Sequence, residues 1–377
     1  MSDANTRNRY FDDLCANPEL QWMGQNTNHL PAHPAVEAAM IESIQRGEYN
    51  AYAPPLGFEA LRERIVADIG APGTEALVTE GGVAALALIC AARCTPGSTF
   101  VTTDPTWKWP CQFAERHGAE VVKLPIFDAR SDWRLSVAAL EAAVDERTRV
   151  IYLVDPNNPL GVRYERHVLE CFVAIARDRG ALLIHDCTYR DFADGHTPAV
   201  TLDAEHSVVT LSFSKWLGLA GLRIGALVAS PALVAEFAAG ATSVLGASVV
   251  AQRAALAGLE VKREWMARVR EVDAANKEMI RACIESLPGL SLPVWPSHGN
   301  FVVINLEDPE LTPQALVARY LEQNIMIRQG TYHTERFGER FIKVSTSVPS
   351  AWVARFCALL PAMLERARGT PPTAPLY

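Results

Sequence analysis

Short runs of β-branched and apolar residues recur along the first two thirds of the chain. Each is followed by a stretch in which apolar residues return every three or four positions. The first pattern reads as a buried strand and the second as an amphipathic helix. The runs predict strands at 76–79, 99–102, 120–124, 150–154, 181–185, 208–211 and 226–229, with helices such as 83–93, 106–116, 137–144 and 165–179 between them. Such alternation is the signature of an α/β fold built on a parallel sheet. From about 247 to 286 the pattern is helical with no strand signal, so this segment is expected to link two lobes. After Pro288 the texture changes to a strand at 301–306, a helix at 313–323, then strands at 325–328 and 341–346, which reads as a smaller α+β lobe. The expected division is an N-terminal arm that is part of the small domain (1–45), a large domain (46–255) and a C-terminal small domain (256–377). The chain carries no internal repeat.

Composition narrows the functions. With 377 residues and 49% hydrophobic content, the chain buries a large core divided between two lobes. A formal charge of −8 argues against nucleic acid or an anionic membrane as the main partner, so a bound anion must be held by a few local cations. The cysteines at 15, 90, 94, 111, 171, 187, 283 and 357 form no CxxC pair and no zinc or disulfide spacing, which suits reduced thiols in a cytoplasmic protein and predicts no metal. Residues 1–20 are polar and charged, unlike a signal peptide, and no stretch reaches the ~20 apolar residues of a membrane helix. The proline- and threonine-rich tail 369–377 is expected to be loose.

In open parallel sheets, ligands collect at the carboxyl ends of strands. Three predicted strands end in complementary chemistry. Strand 150–154 runs into Asp155-Pro156-Asn157-Asn158-Pro159-Leu160-Gly161, strand 181–185 into Asp186-Cys187-Thr188-Tyr189, and strand 208–211 into Ser212-Phe213-Ser214-Lys215. A lysine can hold an aldehyde as a Schiff base, and Ser212, Ser214 and Arg223 suit a phosphate. An aspartate beneath a pyridinium nitrogen keeps that nitrogen protonated, while an asparagine and a tyrosine can hydrogen-bond a phenolic oxygen. Pyridoxal phosphate asks for this combination. Taken singly, Asp186 is also a plausible helix cap and Asn158-Pro159 a plain turn. Upstream, Thr79-Glu80-Gly81-Gly82-Val83 opens a predicted helix with glycines that let backbone N–H groups approach an anion. Trp107, in Asp104-Pro105-Thr106-Trp107, sits at the expected start of helix 106–116, placed either to stack on a pyridine ring or to pack in the core.

Together these residues resemble the class I/II aminotransferase family of fold-type I pyridoxal phosphate enzymes, over about residues 26–358. Tyr52, Gly57, Leu61 and Arg62 match that family's Tyr-x4-Gly-x3-Leu-Arg signature. The resemblance implies a large domain with a mainly parallel seven-stranded sheet between helices, plus a smaller α+β domain. It implies that Lys215 is the Schiff-base lysine and proton shuttle, that Asp186 pairs with the pyridine nitrogen, and that Asn158 and Tyr189 contact the ring hydroxyl. Trp107 would stack, and Gly82, Val83, Ser212, Ser214 and Arg223 would bind the phosphate. Tyr52 would reach the phosphate of a neighbouring subunit in a homodimer.

Within the family the texture is most similar to histidinol-phosphate aminotransferases. Asn26-Thr27-Asn28-His29-Leu30-Pro31 resembles that group's Asn-Glu-Asn-Pro-Leu-Gly opening, and Ile325-Met326-Ile327-Arg328 and Phe341-Ile342-Lys343-Val344-Ser345 follow its C-terminal pattern. Thr27, His29 and Leu160 depart from that pattern. So does Lys343, which stands where most relatives carry the arginine that binds the substrate's acid group. Lysine is a point charge without arginine's planar fork. A solvated lysine at a strand edge is the plain alternative. The expected activity is transfer of an amino group between an amino acid and a 2-keto acid, with Arg328, Lys343, Asn28 and His29 toward the substrate. A substrate bearing a second anionic group, phosphate or phosphonate, fits the altered acid site. The same cofactor chemistry also serves decarboxylases such as the threonine-phosphate decarboxylases, cyclases and oxidases. A non-catalytic sensor of the kind fused to a DNA-binding module is a further alternative, and only about 25 residues precede the matching region. The family position also suggests Trp109 and Tyr332 as pocket residues.

Overall fold

The structure, a computed structural model, describes residues 4–241 and 244–371. The end of the expected loose tail, beyond 371, lies outside the described residues, as do the first three residues of the polar N-terminus. The chain divides into two compact units. One comprises 30–270 and 296–300, the other 1–29, 271–295 and 301–377. Compared with the expected boundaries, the arm of the smaller unit ends at 29 rather than 45, and the second cut falls at 270/271 rather than 255/256. That cut lies inside one continuous helix, Lys262–Glu285, so no break in the hydrophobic pattern marks it.

The described residues of the larger unit form a seven-stranded sheet with spatial order Glu75–Thr79, Gly225–Ala229, Ser207–Ser212, Leu182–Asp186, Thr148–Val154, Thr99–Asp104 and Glu120–Pro125. Gly225–Ala229 is antiparallel to both neighbours, and every other pairing is parallel. The central strands are buried at nearly every position, as strands covered on both faces must be. The three strands whose ends carry the expected chemistry, 148–154, 182–186 and 207–212, are immediate neighbours. Their shared direction sets their carboxyl ends side by side. The helix expected at 106–116 begins instead at Trp109, with Pro110 in its first turn, where a proline's missing N–H costs nothing. Trp107 therefore lies in the loop before the helix and is half-buried.

The smaller unit has its own core. Arg328–Gln329, Phe341–Ser345, Phe301–Leu306 and Leu290–Ser291 form an antiparallel sheet in that order. Apolar residues of that sheet pack with the helices Pro313–Leu321 and Ser350–Ala367 and with Ile280 and Ile284. The strand expected at 325–328 splits in two. Ile325–Met326 pairs in parallel with Gln21–Trp22, and Arg328–Gln329 joins the four-stranded antiparallel sheet. A helix that the hydrophobic pattern does not announce, Ala4–Ala16, places Leu14 in a small cluster with Leu20 and Met326. Among the described residues no helix is long and apolar enough to cross a membrane.

Candidate active site

Asp186 is the last residue of its strand, level with Val154 on one side and Thr210 on the other. Its Oδ1 accepts from the backbone N–H of Thr188 at 3.1 Å and from the Thr188 hydroxyl at 2.6 Å, and its Oδ2 accepts from the Tyr152 hydroxyl at 3.1 Å. Burial raises the Asp186 carboxyl above its ordinary range, and the hydrogen bonds from Thr188 and Tyr152 only partly oppose the shift. Tyr152 is fully buried, and burial together with the neighbouring carboxylate pushes its phenol well above the usual value, so it remains a donor. At the next strand end, Asn158 Nδ2 donates to the Tyr189 hydroxyl at 3.2 Å. The loop that carries Asn158 is pinned by Asn157, whose side chain accepts from Leu160 N–H at 3.0 Å and donates toward the Pro105 carbonyl at 3.4 Å.

Lys215 lies on the one-turn helix Phe213–Trp216, half-buried. Ser212 caps that turn by accepting the Ser214 N–H at 3.2 Å. Its neighbour Trp216 is held twice from the long helix region. Trp265 Nε1 donates to the Trp216 carbonyl at 2.8 Å, and Lys262 Nζ lies 4.8 Å from the Trp216 ring centre. Lys262 also pairs with Asp68 and Asp191, each at 2.6 Å.

The helix Gly82–Arg93 opens without a side-chain cap, so its first N–H groups stay available to an anion. Gly81 has φ 85°, and a Cβ there would meet Arg223 Nη2 at 2.5 Å. A Cβ on Gly225 would meet Gly82 N at 2.3 Å. Only glycine lets these segments approach so closely. Arg223 itself sits at φ 52°, a left-handed backbone that costs a non-glycine residue about 1 kcal/mol or more. Its guanidinium bonds the Ala220 carbonyl at 2.8 Å and lies along the glycine turn. Helix-start N–H groups and an arginine at one corner, with the Ser212 side chain beside Gly82, suit a phosphate dianion, and the buried Asp186 suits a cationic ring nitrogen. The donor set therefore fits pyridoxal phosphate.

In the smaller unit, Arg328 and Lys343 stand directly opposite each other on adjacent strands, and both are buried. The strand of Lys343 is paired on both sides, so the solvated edge lysine is corrected: Lys343 is a central-strand cation only 3% exposed. Each cation lies over an aromatic ring, Arg328 at 4.6 Å from Tyr332 and Lys343 at 5.1 Å from Phe301. Like charges opposed across a sheet repel, which a bound anion would relieve. Asn28 is buried nearby in sequence to His29, whose ring meets Thr27 Oγ1 at 2.7 Å and packs on Trp352 at 5.5 Å. Tyr52, in the larger unit, is 83% exposed, as are Tyr49, Ile41 and Ile44 to a lesser degree.

One cluster escaped the sequence reading. Asp155 Oδ2 lies 3.1 Å from His185 Nε2 and 3.2 Å from His196 Nε2, all deeply buried. Cys187 joins the two histidines, with ligand atoms within 4.8 Å of one another. The set resembles a soft-metal donor group, but His185 already engages both ring nitrogens, with Asp155 and with the Ala199 N–H. The two imidazoles also stack at 16° and 5.2 Å, and both turn Nε2 to the same oxygen of Asp155. The cluster works as a hydrogen-bond network around Asp155.

The family model for class I and II aminotransferases matches residues 18–360. The histidinol-phosphate aminotransferase of Geobacillus sp. (strain WCH70) is 28% identical over 312 residues, covering 82% of this chain and 81% of that protein. The one from Akkermansia muciniphila is 30% identical over 299 residues, covering 78% of each. Among solved structures, aspartate aminotransferase from Thermus thermophilus with maleate superposes with a TM-score of 0.82 at 22% identity, over 97% of both chains. That likeness establishes the fold, with its mainly parallel central sheet.

Proposed function

The chain belongs to the class I and II aminotransferases, enzymes that use pyridoxal 5′-phosphate, and on that premise we propose which of its residues perform the transfer and what they transfer from. When bound, the cofactor supplies an aldehyde that condenses with amines and a ring that accepts electrons. Lys215 would hold the cofactor through its amine, and the same amine would serve as the base that moves the proton released at the substrate Cα. Asp186 holds a proton at the ring nitrogen. Tyr189 and Asn158 would donate to the ring oxygen, and Trp107 would supply an aromatic face for the ring. Gly82, Val83, Ser212, Ser214 and Arg223 hold the phosphate, and Tyr52 completes it from the partner of a homodimer in the cytoplasm. The exposure of Tyr52 beside Tyr49, Ile41 and Ile44 supports a surface made to be covered by a second copy.

Arg328 and Lys343 bind an anionic group of the substrate, flanked by Asn28 and His29. A monodentate lysine opposite an arginine suits a tetrahedral phosphate or phosphonate better than a planar carboxylate, which two forked arginines would match. The substrate is therefore read as an amino acid with a second anionic group, phosphate or phosphonate, and the phosphate in the name of the histidinol-phosphate relatives points the same way. The observation that carries the reading is the 3.2 Å Asn158–Tyr189 bond beside a buried Asp186, at strand ends neighbouring that of Lys215.

The test is a single-donor screen. The cofactor-loaded protein is mixed in turn with common amino acids, histidinol phosphate, and phosphate- or phosphonate-bearing amino acids, and released pyridoxamine phosphate is measured by chromatography. Conversion is expected with the phosphorylated or phosphonylated donors. Conversion confined to plain amino acids would sink the second-anion reading. Carbon dioxide release without pyridoxamine phosphate would place the chain with the decarboxylases.

A further inference from the structure

Asp155 is the first residue beyond the strand Thr148–Val154, three positions before Asn158. Its carboxylate is fully buried and gathers donors from three distant points of the chain. Oδ1 accepts the Tyr164 N–H at 3.1 Å, and Oδ2 takes His185 Nε2 and His196 Nε2 at 3.1 and 3.2 Å. The Ala199 N–H donates to His185 Nδ1 at 3.0 Å, so the proton of that ring sits on Nε2 and points at Asp155. The His196 imidazole stacks on it and also donates toward the Asp155 carbonyl at 3.0 Å. Burial pushes the Asp155 carboxyl up, but the two histidines outweigh it and hold the carboxyl well below the usual range.

The bond to Tyr164 closes residues 155–164 into a ring, and the Asp155 N–H anchors that ring to the Asp186 carbonyl at 3.0 Å. Inside it, Gly161 N–H bonds the Asn157 carbonyl at 2.7 Å and Asn157 N–H the Val162 carbonyl at 2.8 Å. Asn158 is carried on this closed loop, and its amide reaches Tyr189. We infer that Asp155, clamped by His185 and His196, is a positioning residue that sets where Asn158 presents its amide to the cofactor's ring oxygen. Asp155 touches no reacting atom and acts only through Asn158. The inference rests on the reading of Asn158 and Tyr189 as cofactor contacts.

A double-substitution cycle tests it, using the unsubstituted protein, Asp155→Asn, Asn158→Ala and the double variant, each loaded with pyridoxal phosphate. The readout is the pH midpoint at which the visible absorbance of the bound cofactor changes, with the melting temperature of each cofactor-free protein recorded alongside. Each single substitution is expected to move the midpoint by about one pH unit, the worth of one hydrogen bond. The double variant should move it no further than Asn158→Ala alone, because coupled residues are not additive. Additive shifts overturn the inference, since Asp155 then acts by its own charge. No shift from Asp155→Asn overturns it as well. If Asp155→Asn does not fold, His196→Leu replaces it in the cycle, with the same non-additivity required. A visible band that is absent, or that persists in Lys215→Ala, defeats the cofactor reading itself and is seen before the cycle is run.

Discussion

Asp155 follows one strand of the large sheet and Asp186 ends the neighbouring one, and both carboxylates are buried. Burial alone would push both up by the same mechanism. At Asp155 two imidazoles and a backbone N–H overcome that push, and the carboxyl is held low. At Asp186 the donors are hydroxyls and one N–H, and the carboxyl stays raised. The first aspartate is satisfied within the protein and has nothing left to recruit. The second is tied in place but undercompensated, which is what a site built for a cationic ring nitrogen requires. Depth of burial does not separate a structural acid from a functional one; the donors that reach its two oxygens do.

The strongest way to break this contrast is Asp186→Asn. Transamination should fall by about 10²- to 10⁴-fold, as when a proton-holding group is removed from the reacting centre. The cofactor-free protein should behave differently. The folded carboxyl is raised, so the native state binds the proton more tightly, and the stability it contributes falls as pH rises from the ordinary carboxylate range through the raised value. Asparagine removes that penalty. Cofactor-free Asp186→Asn should thus melt no lower than the unsubstituted protein at neutral pH, and the two curves should draw together as pH falls. A large loss of apo stability at neutral pH would mean Asp186 is as structural as Asp155.

Asp155→Asn should show the reverse in denaturant melts. A depressed folded carboxyl contributes stability above the ordinary carboxylate range and loses it as pH falls through the depressed value. Asparagine leaves buried imidazole N–H groups facing an amide, at a cost of about 1–3 kcal/mol at neutral pH. That deficit should shrink on acidification, where the unsubstituted protein loses the same interaction. A variant as stable as the parent at neutral pH would show that the two aspartates are not distinguished as described.

The difference between the two acids also explains what the sequence made legible. Strand ends were readable because buried parallel strands are continuous apolar runs, so 150–154 and 208–211 were placed within two residues of 148–154 and 207–212. Asp186 ends one such strand, and Asn158, Tyr189 and Lys215 follow within a few residues of strand ends that lie side by side because the strands are neighbours. Asp155, His185 and His196 are far apart along the chain, and nothing in local pattern joins them. Their meeting depends on the register that sets Leu153 level with His185, and on a loop whose path periodicity does not determine. The opposition of Arg328 and Lys343 is likewise a product of register, and it turned a lysine readable as solvated into a buried cation. Trp107 lies ahead of its expected helix because Pro110 sets the first turn at Trp109.

The smallest substitution is the most discriminating. Tyr152→Phe removes one hydroxyl donor from Asp186 Oδ2 and leaves both Thr188 bonds to Oδ1 in place. The loss should be about 1 kcal/mol, the ordinary worth of one hydrogen bond, with activity reduced by less than about tenfold. Its direction is fixed: with one donor gone, the Asp186 carboxyl rises further, so the decline of apo stability with rising pH should start in the same ordinary carboxylate range but extend to a higher pH than in the parent. Tyr152 donates to Asp186 rather than to the Asp155 carboxylate, whose partners are Tyr164, His185 and His196. The acid-side loss governed by Asp155 should therefore stay where it is. Movement of one limb of the stability profile without the other means that the two carboxylates titrate independently. Movement of both means that they share protons as one coupled unit, and then neither can be assigned a structural or a functional role from its donors alone.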